Sequence, residues 1–486
     1  MSLEMIIGTI LFFASIIVVT FLAKKHTGNL KNYLIGNSNV GGAVSAFTWT
    51  ASAASAGLFL GAAGLAYQYG WAGLMYLIGV FGSMFISWVF VIPKLRRVAV
   101  SRSILTTPDY LVMRYGEKRI KIISAFWTLV FIVPMIIVQF VGAGYLIEST
   151  LGLNYFWGMI IIGLTVAIST QLSGYMGVAW LDTLQGSIMT IGTIVMVYLS
   201  LQMMGGFTNL NLKLAAIDPS LVQFTGNMPL SLQIGLIVSY LVAFWGQPHL
   251  TARVWGLKDS NALRSALPIS MILGVIWSFG AGLVGLSARV LHPGLASPDM
   301  AMPSVINGLP VFYTALLFFT LIAAMMTTAN SLLLTAAGSV SNDILPLFIK
   351  DQDDPRVLYG AKLMVLVIGV LSFVLALKPP DLILKINAFA FGGYALIFGI
   401  PLFLGVMWKK ANLSGAMIAL TASPIIYIAW KMFLSRPTGI HEMIAALAIT
   451  IVLILLATLF GKKPTEQMLE IYSLGQIPKN DQEGHQ

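Results

Sequence analysis

Uncharged apolar runs of about 18 residues or more recur along this chain, with short polar connectors between them. A helix of about 20 residues crosses the ~30 Å hydrocarbon core of a bilayer. Thirteen such segments are expected, near residues 4–23, 41–67, 71–93, 121–148, 155–173, 178–204, 230–249, 266–290, 309–345, 357–377, 382–408, 412–434 and 441–460. The ninth is too long for one straight crossing and is expected to continue as a cytoplasmic helix. Strands of a membrane barrel would alternate polar and apolar positions over ~10 residues, and these segments do not.

Residues 1–460 therefore read as one all-α, polytopic transmembrane domain, with 461–486 as a polar, loosely ordered cytoplasmic tail. Composition agrees: 58% of residues are hydrophobic and 9% charged, too few charges for a soluble chain of this size. The lipid bilayer is thus the first partner. The chain has no cysteine, which excludes disulfides, thiolate metal sites and cysteine nucleophiles.

The net charge of +10 follows from sidedness and calls for no nucleic acid. With the N-terminus outside and the C-terminus inside, basic residues collect in the cytoplasmic connectors, Arg114, Arg253 and the tail's Lys479 among them. Of 28 basic residues, only Lys213, Arg289, Lys378, Lys385, Lys431 and Arg436 fall outside. On this map no Lys or Arg lies mid-span. Met1 to Glu4 lacks the basic opening of a cleavable signal. "GQPH" is expected to end the seventh segment at Pro248, leaving His249 at the cytoplasmic interface.

Two segments carry polar patterns that a plain anchor does not need. "FTWTASAASAGLFLGAAGLA", Phe47 to Ala66, is crowded with Gly, Ala, Ser and Thr. Small residues let helices approach closely. They also suit a helix broken near mid-membrane, where freed carbonyls bind cations and a freed helix N-terminus binds anions. Ser52, Ser55, Ala56 and Gly57 suit such a break. In the ninth segment Ala324, Thr327 and Thr328 share one helical face. Ser331, Thr335, Ser339 and Asp343 continue in steps of four, with Asn342 beside them, like the wall of an aqueous path.

Two adjacent hydroxyls plus backbone carbonyls form an uncharged oxygen cage. Transition metals would want His or Cys, and a proton would want a titratable group, so sodium is the economical choice. Asp182 lies just inside the cytoplasmic half of the sixth segment, sharing its face with Gln185, Gly186, Met189 and Thr193. It is either a functional intramembrane acid or an interfacial one facing the cytoplasm.

"KNYLIGNSNVGG", "TPDYLVMRYG", "AWLDTLQ", "FWGQPHLTARVW" and "AAMMTTANSLLLTAAGSVSNDI", in this order and spacing, resemble the sodium:solute symporter family over about residues 5 to 460. The resemblance implies a LeuT-type core of two inverted five-helix repeats, helices 2–6 (residues 41–204) and 7–11 (residues 230–408). It implies a sodium site made by the carbonyls of Ala51, Ala54 and Ala324 and the hydroxyls of Thr327 and Thr328, with Asp182 on the sodium route to the cytoplasm. Proline transporters of the family carry an acid where this chain has Ala53, which argues against proline. The resemblance implies pantothenate or a similar monocarboxylate, with proline, another amino acid or a sugar as alternatives.

The solute is expected beside the break. Candidates are Ser52, Ser55 and Gly57 on helix 2, Gln139 on helix 4, Tyr240, Phe244 and Trp245 on helix 7, and Tyr394 on helix 11. Gly392 and Gly393 would serve either a hinge or close packing. A channel would show a repeated filter, and none is seen. H-E-x-x-H, G-x-S-x-G and the ATPase G-x-x-x-x-G-K-[ST] pattern are all absent. The reading is thus a bacterial inner-membrane symporter for sodium and a small solute, not an enzyme, with no obligatory protein partner.

Overall fold

Helices form where the apolar runs place them. In the computed structural model, which describes residues 2–351, 354–378 and 383–476, the chain opens with α1 (Leu3–Lys24). A bent pair follows, α2a (Gly42–Ala53) and α2b (Gly57–Leu74), then α3 (Leu77–Ser101) and α4 (Arg119–Leu151). Tyr155–Met204 is a 50-residue helical stretch interrupted at Gly174; α5 covers 155–173 and α6 covers 175–204. Gly174 has φ +53°, and a Cβ there would strike the ring and carbonyl of Tyr33, so only glycine fits. Next come α7a (Leu230–Ala243), α7b (Pro248–Trp255) and α8 (Ser260–Leu291). The rest are α9 (Val311–Leu347), α10 (Pro355–Ala376), α11 (Lys385–Met407), α12 (Leu413–Thr438) and α13 (Glu442–Phe460), with α14 (Glu466–Gln476) in the tail. Among the described residues eleven helices are long and apolar enough to cross a membrane, twelve when the bent pair counts as one. Lys479 and residue 382 lie outside the described residues.

Burial sorts the helices by position. Every residue of α9 from Leu317 to Leu334 is buried, whereas α1 exposes Ile6, Ile10, Leu11 and Phe21, as lipid-facing positions should. Lipid tails supply no hydrophobic drive between helices, so close approach holds them. Gly285 of α8 lies so near the backbone of Ala63 that no Cβ would fit, and Gly192 of α6 is packed the same way on Thr320. The small residues of α2b are therefore a packing interface as well as the flank of a break. Gly392 and Gly393 are packed against Tyr427 and Phe131 within a helix that runs on through them, so they serve close packing.

The stretches α2–α6 and α7–α11 each open with a broken helix. α2 breaks after Ala53, bending by 57°, and α7 breaks at Gln247. The chain entering α2a and the chain leaving α7b are pinned together: Val40 N–H donates to Gly256 O, and Lys258 N–H to Val40 O, both at 3.0 Å.

Three expectations need correction. Pro248 does not end the seventh helix. It sits in the first turn of α7b, where its missing N–H costs nothing, and His249 is buried at 1% exposure instead of interfacial. Residues 466–476 are not loose: Arg97 donates to Gly475 O (2.9 Å), Gln476 to Val406 O (2.8 Å), and Arg102 pairs with Glu470 at 2.5 Å. The polar stripe of α9 is mostly packed, with a cavity of only about 20 Å³ beside Thr335 and Ser339. Asp343 Oδ1 accepts from Thr106 (2.8 Å) and Asn342 (2.9 Å), and Ser331 and Ser339 are buried.

Candidate functional site

The break in α2 releases carbonyls. The last regular rung is Ala54 N–H to Thr50 O at 3.0 Å, and Ala54 then adopts φ −87°, ψ 78°. In an unbroken helix the next four amides would close on the carbonyls of Ala51, Ser52, Ala53 and Ala54. Instead Ser55 N–H turns to Ala53 O (3.2 Å) and Leu58 N–H to Ser55 O (2.9 Å). Ala56 N–H donates to Gln139 Oε1 of α4 (2.9 Å), and Gly57 N–H to Ser55 Oγ (3.1 Å). The amides are thus satisfied, as buried amides must be, while the helix no longer claims the carbonyls of Ala51, Ser52 and Ala54.

α9 brings hydroxyls to the released oxygen of Ala51. Thr327 Oγ1 lies 3.1 Å from Ala51 O and 3.1 Å from Ala324 O, and Thr328 Oγ1 lies 3.3 Å from Ala51 O. Ala51, Ala324, Thr327 and Thr328 are 0% exposed, and Ala54, inside the break, 2%. This donor set is neutral, buried and all oxygen. It fits a hard monovalent cation, which would take the hydroxyl lone pairs and the Ala51 carbonyl in place of the hydrogen bonds between them. Among the described residues no three His, Asp or Glu side chains cluster to hold a metal.

A buried ionic cluster lies beside the cage. Thr48 Oγ1 donates to Asp182 Oδ2, and Arg253 Nη2 of α7b is 3.7 Å from that same oxygen. Arg253 also donates to Ser331 Oγ and to Ser52 Oγ (3.3 Å), whose hydroxyls are 2.6 Å apart. The guanidinium covers the Tyr175 ring at 4.9 Å. Asp182 is therefore a fully buried, paired acid, 0% exposed. Arg253, counted among the cytoplasmic charges, is 2% exposed and is Asp182's counter-ion. It was missed because the seventh helix was ended too early; the Pro-initiated turn "PHLTARVW" was the available signal.

Next to the break is a cavity of about 30 Å³, room for about two waters. Ser55, Tyr240 and Phe244 of the sequence candidates line it, together with Trp49, Thr50, Tyr76, Trp277, Asn387 and Phe391, which were not anticipated. Tyr240 packs on Tyr76 and on Phe391, each at 5.0 Å between ring centroids. Gly57 abuts Asn387, whose amide leaves no room for a Cβ there. Ser52, Gln139, Trp245 and Tyr394 lie outside the cavity. Ser52 faces Arg253, and Gln139 spans Ala56 N–H and Met135 O (3.0 Å). Trp245 donates to Gly399 O (3.0 Å) and Tyr394 to Thr128 O (2.9 Å). A vestibule of about 480 Å³ begins one turn further along, at Leu236 and Ala388, and includes Asp299, Lys385, Lys431 and Glu442.

Residues 33–422 match the profile of the Sodium:solute symporter family. The chain is 30% identical over 475 residues to the sodium/pantothenate symporter of Escherichia coli (strain K12), covering 95% of this chain and 97% of that one. It is 26% identical over 483 residues to the sodium/proline symporter of the same strain, covering 96% and 95%. In fold it resembles a Na⁺-coupled sialic acid symporter in its substrate-bound outward-open state, with a TM-score of 0.81 at 18% identity over 96% of this chain and 99% of that one. It also resembles Mhp1, a nucleobase-cation-symport-1 family transporter, in a closed conformation, with a TM-score of 0.58 at 18% identity over 92% and 99%.

Proposed function

The chain belongs to the sodium:solute symporter family, a family of transporters and not enzymes, and from that premise we propose that it imports pantothenate or a closely similar monocarboxylate together with sodium. Thirteen membrane crossings, an outer N-terminus, a cytoplasmic C-terminus and a bacterial inner membrane complete the proposal. The likeness to the pantothenate symporter supports the solute.

One observation carries the coupling. The stretch 50–55 supplies Ala51 to the oxygen cage and Thr50, Ala53, Ala54 and Ser55 to the cavity wall. An ion that draws Ala51 toward Thr327 and Thr328 fixes the backbone that faces the solute. Each ligand then tightens the other by the same factor. Asp182 stands beside the cage as a way station for the ion toward the cytoplasm, taking its charge in exchange for that of Arg253. The cavity of about 30 Å³ is smaller than any such solute, so loading requires the partition between cavity and vestibule to open, as alternating access implies.

The test is uptake into proteoliposomes with pantothenate, proline, short monocarboxylates and sugars, each with sodium, potassium or choline outside. Sodium-dependent accumulation of pantothenate is expected. A monoanion carried with one sodium moves no net charge and gives no current, whereas a second sodium adds about 2.3 kcal/mol of drive per 100 mV and an inward current. Accumulation of proline alone, or uptake indifferent to the cation, would overturn the proposal.

A further inference from the structure

The cavity is lined by no charged side chain, yet three of its polar atoms are buried with no protein partner: Thr50 Oγ1, Tyr76 OH and Asn387 Oδ1. All three residues are at most 3% exposed. Buried polar atoms left unpaired are rare and ask for a ligand or a water. The three ask for different things. Hydroxyls of Thr50 and Tyr76 can donate or accept. Asn387 donates its Nδ2 to Tyr240 OH at 3.1 Å, and in this amide orientation the Oδ1 that remains is an acceptor. The seat an anion would take at a broken helix is filled, because Ala56 and Gly57 N–H are bound by Gln139 and Ser55.

The geometry points to a recognition rule that rests on the transport reading above: the solute is selected by a neutral hydrogen-bond donor, a hydroxyl or amide N–H, given to Asn387 Oδ1, and its carboxylate is not read in this cavity. Asn387 is the specificity-determining residue. It also stands at the wall between cavity and vestibule. Ala388, its neighbour, and Leu236, one turn from Tyr240, already face the vestibule, and the Asn387 side chain fills the space above Gly57. A donor on Oδ1 holds the amide in the orientation that keeps Nδ2 on Tyr240. The group that reads the solute is thus the group that closes the partition behind it.

The experiment measures sodium-driven uptake of labelled pantothenate in proteoliposomes of the full chain, against two unlabelled competitors. Pantothenol keeps the hydroxyls and amide and has an alcohol for the carboxylate. 3-(Pivaloyloxy)propanoate keeps the carboxylate and the branched acyl end but has no hydroxyl or N–H donor. Pantothenol is expected to inhibit at least about tenfold more strongly, the usual penalty when an analogue leaves a buried acceptor unpaired. In Asn387→Leu the gap should fall below about threefold. Asn387→Gln keeps a neutral amide acceptor and should keep a larger gap than Asn387→Leu, which separates recognition from damage to the fold. Equal competition in the wild type, or a gap that survives Asn387→Leu, overturns the proposal. If wild-type vesicles ignore pantothenate, the substrate reading fails by itself. The comparison is then made on the solute they do accumulate, against its analogue with the donor methylated, with the same two outcomes.

Discussion

Thr328→Ala removes the cage oxygen with the simplest surroundings. Its hydroxyl has one partner, Ala51 O at 3.3 Å, whereas that of Thr327 is shared between two carbonyls. With sodium bound, the variant loses an ion–dipole contact comparable to a hydrogen bond with a charged partner, about 1.5–3 kcal/mol. Without sodium it loses one long neutral bond, about 0.5–1.5 kcal/mol. The difference, about 1–2 kcal/mol, raises the half-saturating sodium concentration roughly 5- to 30-fold. The missing methyl leaves a void costing ~1 kcal/mol, but both states bear it, so it cancels from the ion affinity. Linkage adds a second signature: apparent solute affinity falls at low sodium and recovers when sodium saturates. The assay is the initial rate of uptake at constant ionic strength, with choline replacing sodium, alongside Thr328→Ser as the variant that restores the oxygen. A half-saturation within about twofold of wild type, with only the maximal rate reduced, would refute the cage.

Gln139→Leu strips the buried Ala56 N–H of its acceptor and should lower the unfolding temperature in detergent through a loss of about 1–3 kcal/mol; Gln139→Glu, which can still accept, should lose less, and the reverse order would refute the capping role. Asp182→Asn or Arg253→Met alone leaves one charge buried without its partner, a loss of about 3–5 kcal/mol, and the double variant should recover part of it. Strictly additive losses in that cycle, read from thermal or denaturant unfolding, would mean the two charges do not interact. A Cβ built on Gly475 lies 3.6 Å from Lys94 Cβ, inside the disulfide range of about 3.5–4.5 Å. Because the chain has no other cysteine, Lys94→Cys with Gly475→Cys should cross-link cleanly under mild oxidation and reopen with reductant. Failure to cross-link would place α14 away from α3.

What could be read along one dimension came out well, and what depends on two distant segments did not. Bilayer thickness sets helix length, so the apolar runs were legible, and helical spacing put Ala324, Thr327 and Thr328 on one face before any coordinates. Arg253 was illegible because a buried, paired charge reads in sequence like any loop charge, and its partner Asp182 sits in another repeat. Trp245 and Tyr394 failed as cavity residues for a related reason: an aromatic in a membrane helix has no local mark that separates packing from binding. Gln139 was recognised as an odd amide in an apolar span, but only the structure says which orphan it serves. The pattern of these partners has a consequence. Ala51 is met from α9, Ser52 from α7b, Ala56 from α4, and Gly57 from α11. The residues around the break are met from four helices, three of them between α7 and α11, and α9 meets two of the residues, reaching Ser52 by way of Ser331. Any shift of α9 or α7b against α2a breaks the contacts to Ala51 and Ser52 together, because Ser331 of α9 and Arg253 of α7b are joined to each other as well as to Ser52, so the ion cage and the ionic cluster change as one unit.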